Sequence, residues 1–200
     1  LDVNDGTIKL DGNYPVGTDN VALGDTALDT TTGSYNTAIG SKALTANTSG
    51  ITNSALGIQA LETNTTGSDN TSMGGSSLRY NTTGASNTAM GRDALRANTT
   101  AANNTAVGYQ AGYDNTTGYS LTAIGRDAAH ENTSGIHNTA VGHAALYTNT
   151  TGGSNTAIGR DALNSNTTAG NNTAVGYQAG YTNTTGTRNT FIGLQSGYDN

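Results

Sequence analysis

Residues 104–118 read NTAVGYQAGYDNTTG, and residues 172–186 read NTAVGYQAGYTNTTG. The two strings differ only at Asp114 and Thr182, and they lie four repeat units apart. The same frame fills the chain around them. A pentapeptide of the type Asn-Thr-Ala-Ile-Gly starts at Asn36, Asn53, Asn70, Asn87, Asn104, Leu121, Asn138, Asn155, Asn172 and Asn189, always at the same interval of seventeen positions. An earlier copy at Asn20 stands one position closer to Asn36 than that interval. A period this short, held without insertion, marks a repeat protein in which each unit stacks on the next.

Counting places from the leading Asn, the consensus is N-T-A-Φ-G-x-x-A-L-x-x-N-T-T-G-x-x, with Φ aliphatic. Thr, Ala and Φ alternate as a short strand does. Place five is always Gly, including Gly40, Gly57, Gly108, Gly142 and Gly176. An unvarying Gly in a stack implies positive φ or close backbone approach at a corner. A second apolar pair, such as Ala43-Leu44 or Ala94-Leu95, predicts a second strand, and N-T-T-G reads as a turn. The chain is therefore expected to be all-β, a β-solenoid with one 17-residue coil per unit. Gly and Thr recur too densely for long helices. Residues 20–200 hold ten complete coils and a partial eleventh. Residues 1–19 break the pattern and read as a cap or junction, with Thr7-Ile8-Lys9-Leu10 alternating like a strand and Pro15 just before the first coil.

Stacking at ~4.8 Å per coil turns each place into a column along the rod. The place-twelve Asn residues, among them Asn64, Asn81, Asn115, Asn149 and Asn183, are expected to form an amide ladder. Asn-Thr-Thr also matches a glycosylation acceptor, but the ladder accounts for the Asn in every coil. Arg92-Asp93, Arg126-Asp127 and Arg160-Asp161 occupy places six and seven of alternate coils, which spaces like charges ~9.5 Å apart.

Composition narrows function. There are 28 Gly, no Cys, no Trp and one Phe, with 33% hydrophobic and 11% charged residues. The net charge of −6, with basic residues scattered singly, argues against nucleic acid as a partner. No run approaches the ~20 apolar residues of a membrane-spanning helix, so no membrane insertion is expected. The chain starts without Met and stops part-way through a unit, and is expected to be a stretch of a longer protein. Each unit offers few large apolar side chains. The Ala columns are expected to need another surface, which a symmetric homo-oligomer would supply.

The N-T-A-Φ-G-x-x-A core resembles the head repeats of YadA-like trimeric adhesins. The fuller string at Asn104–Gly118 and Asn172–Gly186 is similar to repeats of marine phage tail-fibre and virion appendage proteins. The resemblance covers Asn20 to Asn200. It implies a left-handed trimeric β-roll, extracellular, that reaches a host or neighbouring surface as part of a virion fibre. The alternative it implies is a bacterial cell-surface adhesin or matrix filament.

Chemistry is sparse. His130, His137 and His143 stand at three different places. The acids are read as forming no in-register pair in adjacent coils, the arrangement that acid–base catalysis in a solenoid requires. EF-hand and Gly-Gly-x-Gly-x-Asp calcium patterns are absent. No enzyme, catalytic residue, metal or cofactor is expected. Tyr109, Tyr113, Tyr177 and Tyr181 are the candidate contacts for a host-surface glycan or protein, since aromatic faces bind at low entropy cost. Equally, these Tyr pack against the next coil and replace the Leu missing at Gly112 and Gly180. A second class of function is ice binding through paired Thr such as Thr65-Thr66 and Thr116-Thr117. Adjacent strand residues point to opposite faces, which weighs against it.

Overall fold

The computed structural model describes residues 17–199. The expected cap at 1–19, with its strand-like segment and Pro15, lies almost wholly outside the described residues. From Val21 onward the chain winds as a parallel β-solenoid. Its strands are β1 (Val21–Leu23), β2 (Thr37–Ile39), β3 (Ser54–Leu56), β4 (Thr71–Met73), β5 (Thr88–Met90), β6 (Thr105–Val107), β7 (Thr122–Ile124), β8 (Thr139–Val141), β9 (Thr156–Ile158), β10 (Thr173–Val175) and β11 (Thr190–Ile192). They form one 11-stranded sheet in sequence order, so every neighbour is the next coil. Register follows the repeat, with Thr105 beside Thr122, Ala106 beside Ala123 and Val107 beside Ile124.

Each coil contributes one three-residue strand, not the two expected. The Ala-Leu pair at places eight and nine lies in successive turns instead. The reason is backbone geometry. Residues at places seven, nine and seventeen take left-handed φ, as in Asp93 (58°), Leu95 (49°) and Asn103 (60°). Such residues cannot continue a strand, and for a non-Gly residue each costs roughly 1–2 kcal/mol.

Hydrogen bonding between coils offsets that cost, because it continues past the sheet and around the perimeter. The Gln59 N–H donates to Ser41 (2.9 Å), Leu61 to Ser77 (3.1 Å), Thr63 to Arg79 (3.1 Å), Thr65 to Thr82 (2.8 Å) and Asp69 to Ile51 (3.1 Å). Each net bond contributes about 1 kcal/mol. A wall stitched this way holds its shape without a bulky core. Place-five Gly is where the walls come closest. Gly108 has φ of 136°, and a Cβ there would lie 2.5 Å from the Gly125 carbonyl oxygen.

The interior is narrow. In residues 87–103 it holds Ala89, Ala94 and Leu95, with Asn87 and Asn98 equally inaccessible. The Φ column, which belongs with the core on hydrophobicity, faces out: Met90, Ile124 and Ile158 are each 40% exposed. The expectation about the Ala columns is therefore overturned. Their methyls are buried inside the chain itself and are not available to a partner.

Where Leu is missing at place nine, the filling comes from the next coil. A Cβ on Gly112 would stand 3.0 Å from Leu95 Cδ2 and 3.2 Å from Leu121 Cδ2. Leu121, in the place-one position otherwise held by Asn, turns into the core and fills the space, and Ala129 at place nine of its own coil makes further room. At the other end Phe191 replaces the place-three Ala. A Cβ on Gly180 would meet its Cδ2 at 2.6 Å, and one on Gly197 would overlap the other edge of the same ring. Leu121 and Phe191 replace the missing Leu; the tyrosines do not. A third exchange is polar. Ser72 and Ser77 stand for the two interior Ala of one coil and hydrogen-bond to each other, so neither buried hydroxyl is left unpaired.

Candidate functional site

Two Asn ladders line the interior. At place twelve each amide donates to the Asn Oδ1 of the preceding coil: Asn64 to Asn47 (2.9 Å), Asn81 to Asn64 (2.8 Å), Asn115 to Asn98 (3.1 Å), Asn149 to Asn132 (2.8 Å) and Asn183 to Asn166 (3.2 Å). In the first coil Thr31 ends the ladder by accepting from Asn47 at 2.7 Å. The second ladder, at place one, escaped the sequence reading. Asn36 Oδ1 accepts the Asn53 backbone N–H at 2.9 Å, and Asn53 Oδ1 accepts that of Asn70 at 3.0 Å. Both columns also converge on the place-fifteen carbonyl: Asn53 and Asn64 each donate to Gly67 O at 2.9 Å. The place-twelve Asn amides are thus buried and fully engaged, and none of them is open to carry a glycan on the folded rod.

The paired Thr of the ice-binding reading separate by role. Place-thirteen hydroxyls donate to the backbone of the next coil, as in Thr65 to Thr82 O (3.0 Å) and Thr116 to Thr133 O (2.9 Å). The place-fourteen partners, such as Thr66 and Thr117, are exposed. At place thirteen Thr65 and Thr116 are partly buried, whereas Thr184, near the end of the rod, is exposed.

Outside the wall lie three surfaces. The first is the outer face of the sheet. Here Thr at place two alternates with Φ at place four, and no charged residue stands at either place from Val21 to Ile192. The hydroxyls of Thr37, Thr71, Thr88, Thr105, Thr122, Thr139, Thr156 and Thr173 make no hydrogen bond within the described chain.

The second surface is the column at place ten. Arg79 pairs with Glu62 at 2.7 Å, Arg96 lies 5.5 Å from the Tyr113 ring centroid, and Tyr113, His130 and Tyr147 follow as a stack. Ring centroids are 5.1 Å apart from Tyr113 to His130 and 5.0 Å from His130 to Tyr147, tilted by 8° and 12°. Tyr181 stacks on Tyr198 in the same way, at 5.2 Å. Beside the stack, Asp114 and Glu131 stand at place eleven of consecutive coils, an in-register acid pair that the sequence reading denied. Burial raises the Tyr147 phenol above the ordinary tyrosine range, and Glu131, Asp127 and Asp114 push it the same way.

The third surface is the column at places six and seven. Arg126 lies over the Tyr109 ring at 6.0 Å and Arg160 over Tyr177 at 5.7 Å. Each of these arginines reaches its neighbouring Asp through Nε, at 3.0 Å for Asp127 and 3.1 Å for Asp161.

The four candidate tyrosines therefore divide between two columns, Tyr109 and Tyr177 in one and Tyr113 and Tyr181 in the other. All four are in register along the axis. None is an open platform, because each has a ring face covered by Arg, His or another Tyr. The repeat arithmetic alone could have revealed these neighbours, since residues one period apart stack: Tyr109 under Arg126, Tyr113 under His130, Tyr181 under Tyr198. Among the described residues no group of three or more His, Cys, Asp or Glu is placed to hold a metal ion. Compared with known proteins, the chain matches no family model, no curated protein and no solved structure to a significant degree.

Proposed function

We propose that the chain is a rod segment of an extracellular fibre, on a virion or a bacterial surface, in which copies associate through the outer Thr/aliphatic face of the sheet. Three copies around one axis, each wound left-handed, is the arrangement that the repeat resemblance favours. The observation that carries the reading is the aliphatic column itself. Side chains such as Leu56 (45%), Met90 (40%), Ile124 (40%) and Ile158 (40%) remain half-exposed in one unbroken line. Covering the exposed half of each contributes on the order of 1 kcal/mol. Over the whole column that approaches ~10 kcal/mol per chain, comparable to the stability of an entire domain. Because every coil is alike, parallel copies in register repeat one contact along the rod. They also bring the free Thr hydroxyls to the same height, where they can pair with one another.

Sedimentation equilibrium of the chain tests this. A trimer is expected for the natural sequence and a monomer for an Ile124→Asp, Ile158→Asp variant with unchanged β circular dichroism. A natural chain that stays monomeric at micromolar concentration refutes the assembly.

One observation favours a second reading. The place-two hydroxyls, free of protein partners and ranked beside methyl groups at a fixed ~4.8 Å interval, present a regular array to water, as an ice-binding face does. That use requires the face uncovered. Thermal hysteresis from a monomeric chain supports it, and a trimer that covers the face removes it.

A further inference from the structure

The column at places six and seven is not needed to hold the rod together. The same two places are Ser41-Lys42 in one coil and Gly75-Ser76 in another, and the wall continues through both. An exposed ion pair is worth only ~0–1 kcal/mol. Yet from Arg92 to Tyr177 the column follows a strict two-coil rhythm: Arg-Asp, Tyr-Gln, Arg-Asp, His-Ala, Arg-Asp, Tyr-Gln. The side chains of Arg92, Arg126 and Arg160 are 74%, 67% and 63% exposed, whereas those of Asp93, Asp127 and Asp161 are 13%, 14% and 13% exposed. Each Asp takes the Nε edge of its Arg, at 3.2, 3.0 and 3.1 Å. The contact ties one edge of each guanidinium while the rest of the side chain stays largely open to solvent. For Arg126 the ring of Tyr109 in the preceding coil supports the guanidinium, and for Arg160 the ring of Tyr177 in the following coil does so. Donors fixed in advance lose less entropy on binding.

We infer that this column is a track for an uncharged polysaccharide lying along the rod axis. The inference deepens the fibre reading by naming the class of partner. Three features select that chemistry. First, each Arg charge is already matched by an Asp about 3 Å away and the chain carries −6 overall, so a polyanion gains little and is repelled at long range. Second, each unit places Arg donors beside a carboxylate acceptor, and Gln110 or Gln178 adds an amide one coil on. That combination satisfies hydroxyl groups, which both donate and accept. Third, three Arg-Asp units stand in line ~9.6 Å apart, two coil spacings, with Asp93 also reaching Arg96 at 3.5 Å and Asp161 facing His143 at 3.8 Å. A polymer that engages one unit meets the next at high effective concentration, whereas a single sugar does not. Tyr109 and Tyr177 act as supports for the arginines, not as the stacking platform.

The test is calorimetric titration of the full chain with two neutral polysaccharides, dextran and laminarin, against polygalacturonate as the polyanion. A neutral polymer is expected to bind with an affinity that changes less than about twofold between roughly 50 and 500 mM salt. Its trisaccharide fragment should bind at least about tenfold more weakly than the polymer. The triple variant R92Q/R126Q/R160Q should lose about tenfold or more, while Thr83→Ala with Thr117→Ala, on the place-fourteen turn, leaves binding unchanged. The inference is overturned if neither neutral polymer saturates, if polygalacturonate binds more tightly with steep salt dependence, or if the triple variant binds as the natural chain does. Sedimentation of the same samples separates the two ideas. An intact trimer without sugar binding sinks the track alone, and a monomer that binds sugar sinks the assembly alone.

Discussion

Residues 87–103 and residues 104–137 fill the same interior by different means. The first coil uses its own Leu95 between Asn87 and Asn98. The next two coils have Gly112 and Ala129 where Leu belongs, and Leu121 stands in an Asn position to supply the bulk. The backbone ladder runs through both regions without a break, with Gly108 bonded to Met90 and Gly125 to Val107, each at 2.8 Å. The wall sets the volume and the side chains fill it in whatever combination sums correctly. Phe191 with Gly180 and Gly197 is the same exchange on a larger scale. A polar column can yield one of its members to the core because the remaining bonds persist: the Leu121 backbone N–H still donates to Asn104 Oδ1 at 2.9 Å.

This contrast can be broken most severely at the wall. Gly108→Val adds strain of ~1–3 kcal/mol at positive φ to a backbone clash with the next coil, and a total loss of about 3 kcal/mol or more is expected in thermal melts. Gly75→Val, at an outward place where the nearest atom to a Cβ is 3.4 Å away, should melt near normally. Equal damage from the two would remove the distinction between wall and surface. The next largest effect is overfilling. Ala89→Phe, with Leu95 in place and no compensating Gly, should cost ~3 kcal/mol.

A double-mutant cycle sharpens the comparison itself. Gly112→Leu alone overpacks against Leu95 and Leu121, and Leu121→Asn alone leaves a void; each should cost ~1–3 kcal/mol. Together they rebuild the consensus coil, so the pair should recover most of the loss, with a coupling energy of ~1–3 kcal/mol from chemical denaturation. Additive losses would mean that the two positions do not share one space. The smallest effect is expected outside. Ile124→Ser should change the stability of a single chain by no more than ~0.5 kcal/mol, while Ala123→Ser beside it leaves a buried hydroxyl to satisfy and costs ~1–3 kcal/mol.

The two sites of chemistry differ in how far they could be read. The place-twelve ladder was legible because Asn recurs at one place and β-stacking brings equal places together. The stacks along places six and ten were equally implicit, but they show only when one coil is set against the next. The sequence left the tyrosines between surface contacts and packing in place of Leu. Stacking along the axis covers one face of each ring. The acid pair Asp114 and Glu131 was missed for the same reason, although only a single period separates them.

By itself the sequence determined the period, the parallel in-register stacking, the all-β class, the glycine corner and the place-twelve amide ladder. Each follows from a strictly repeated spacing, because identical units can only repeat identical contacts. Only the tertiary structure decided which side of the strand looks inward. A two-residue alternation groups Thr with Φ and isolates Ala on the other face, but assigns neither group to the interior. Closing one repeat unit into a single coil leaves room for a methyl at place three once Leu and two Asn are inside, so the smaller residue goes in and the larger is left facing solvent. The left-handed turns that limit each coil to one strand, and the handing of Leu and Phe between neighbouring coils, likewise depend on that enclosed volume, which no single unit specifies.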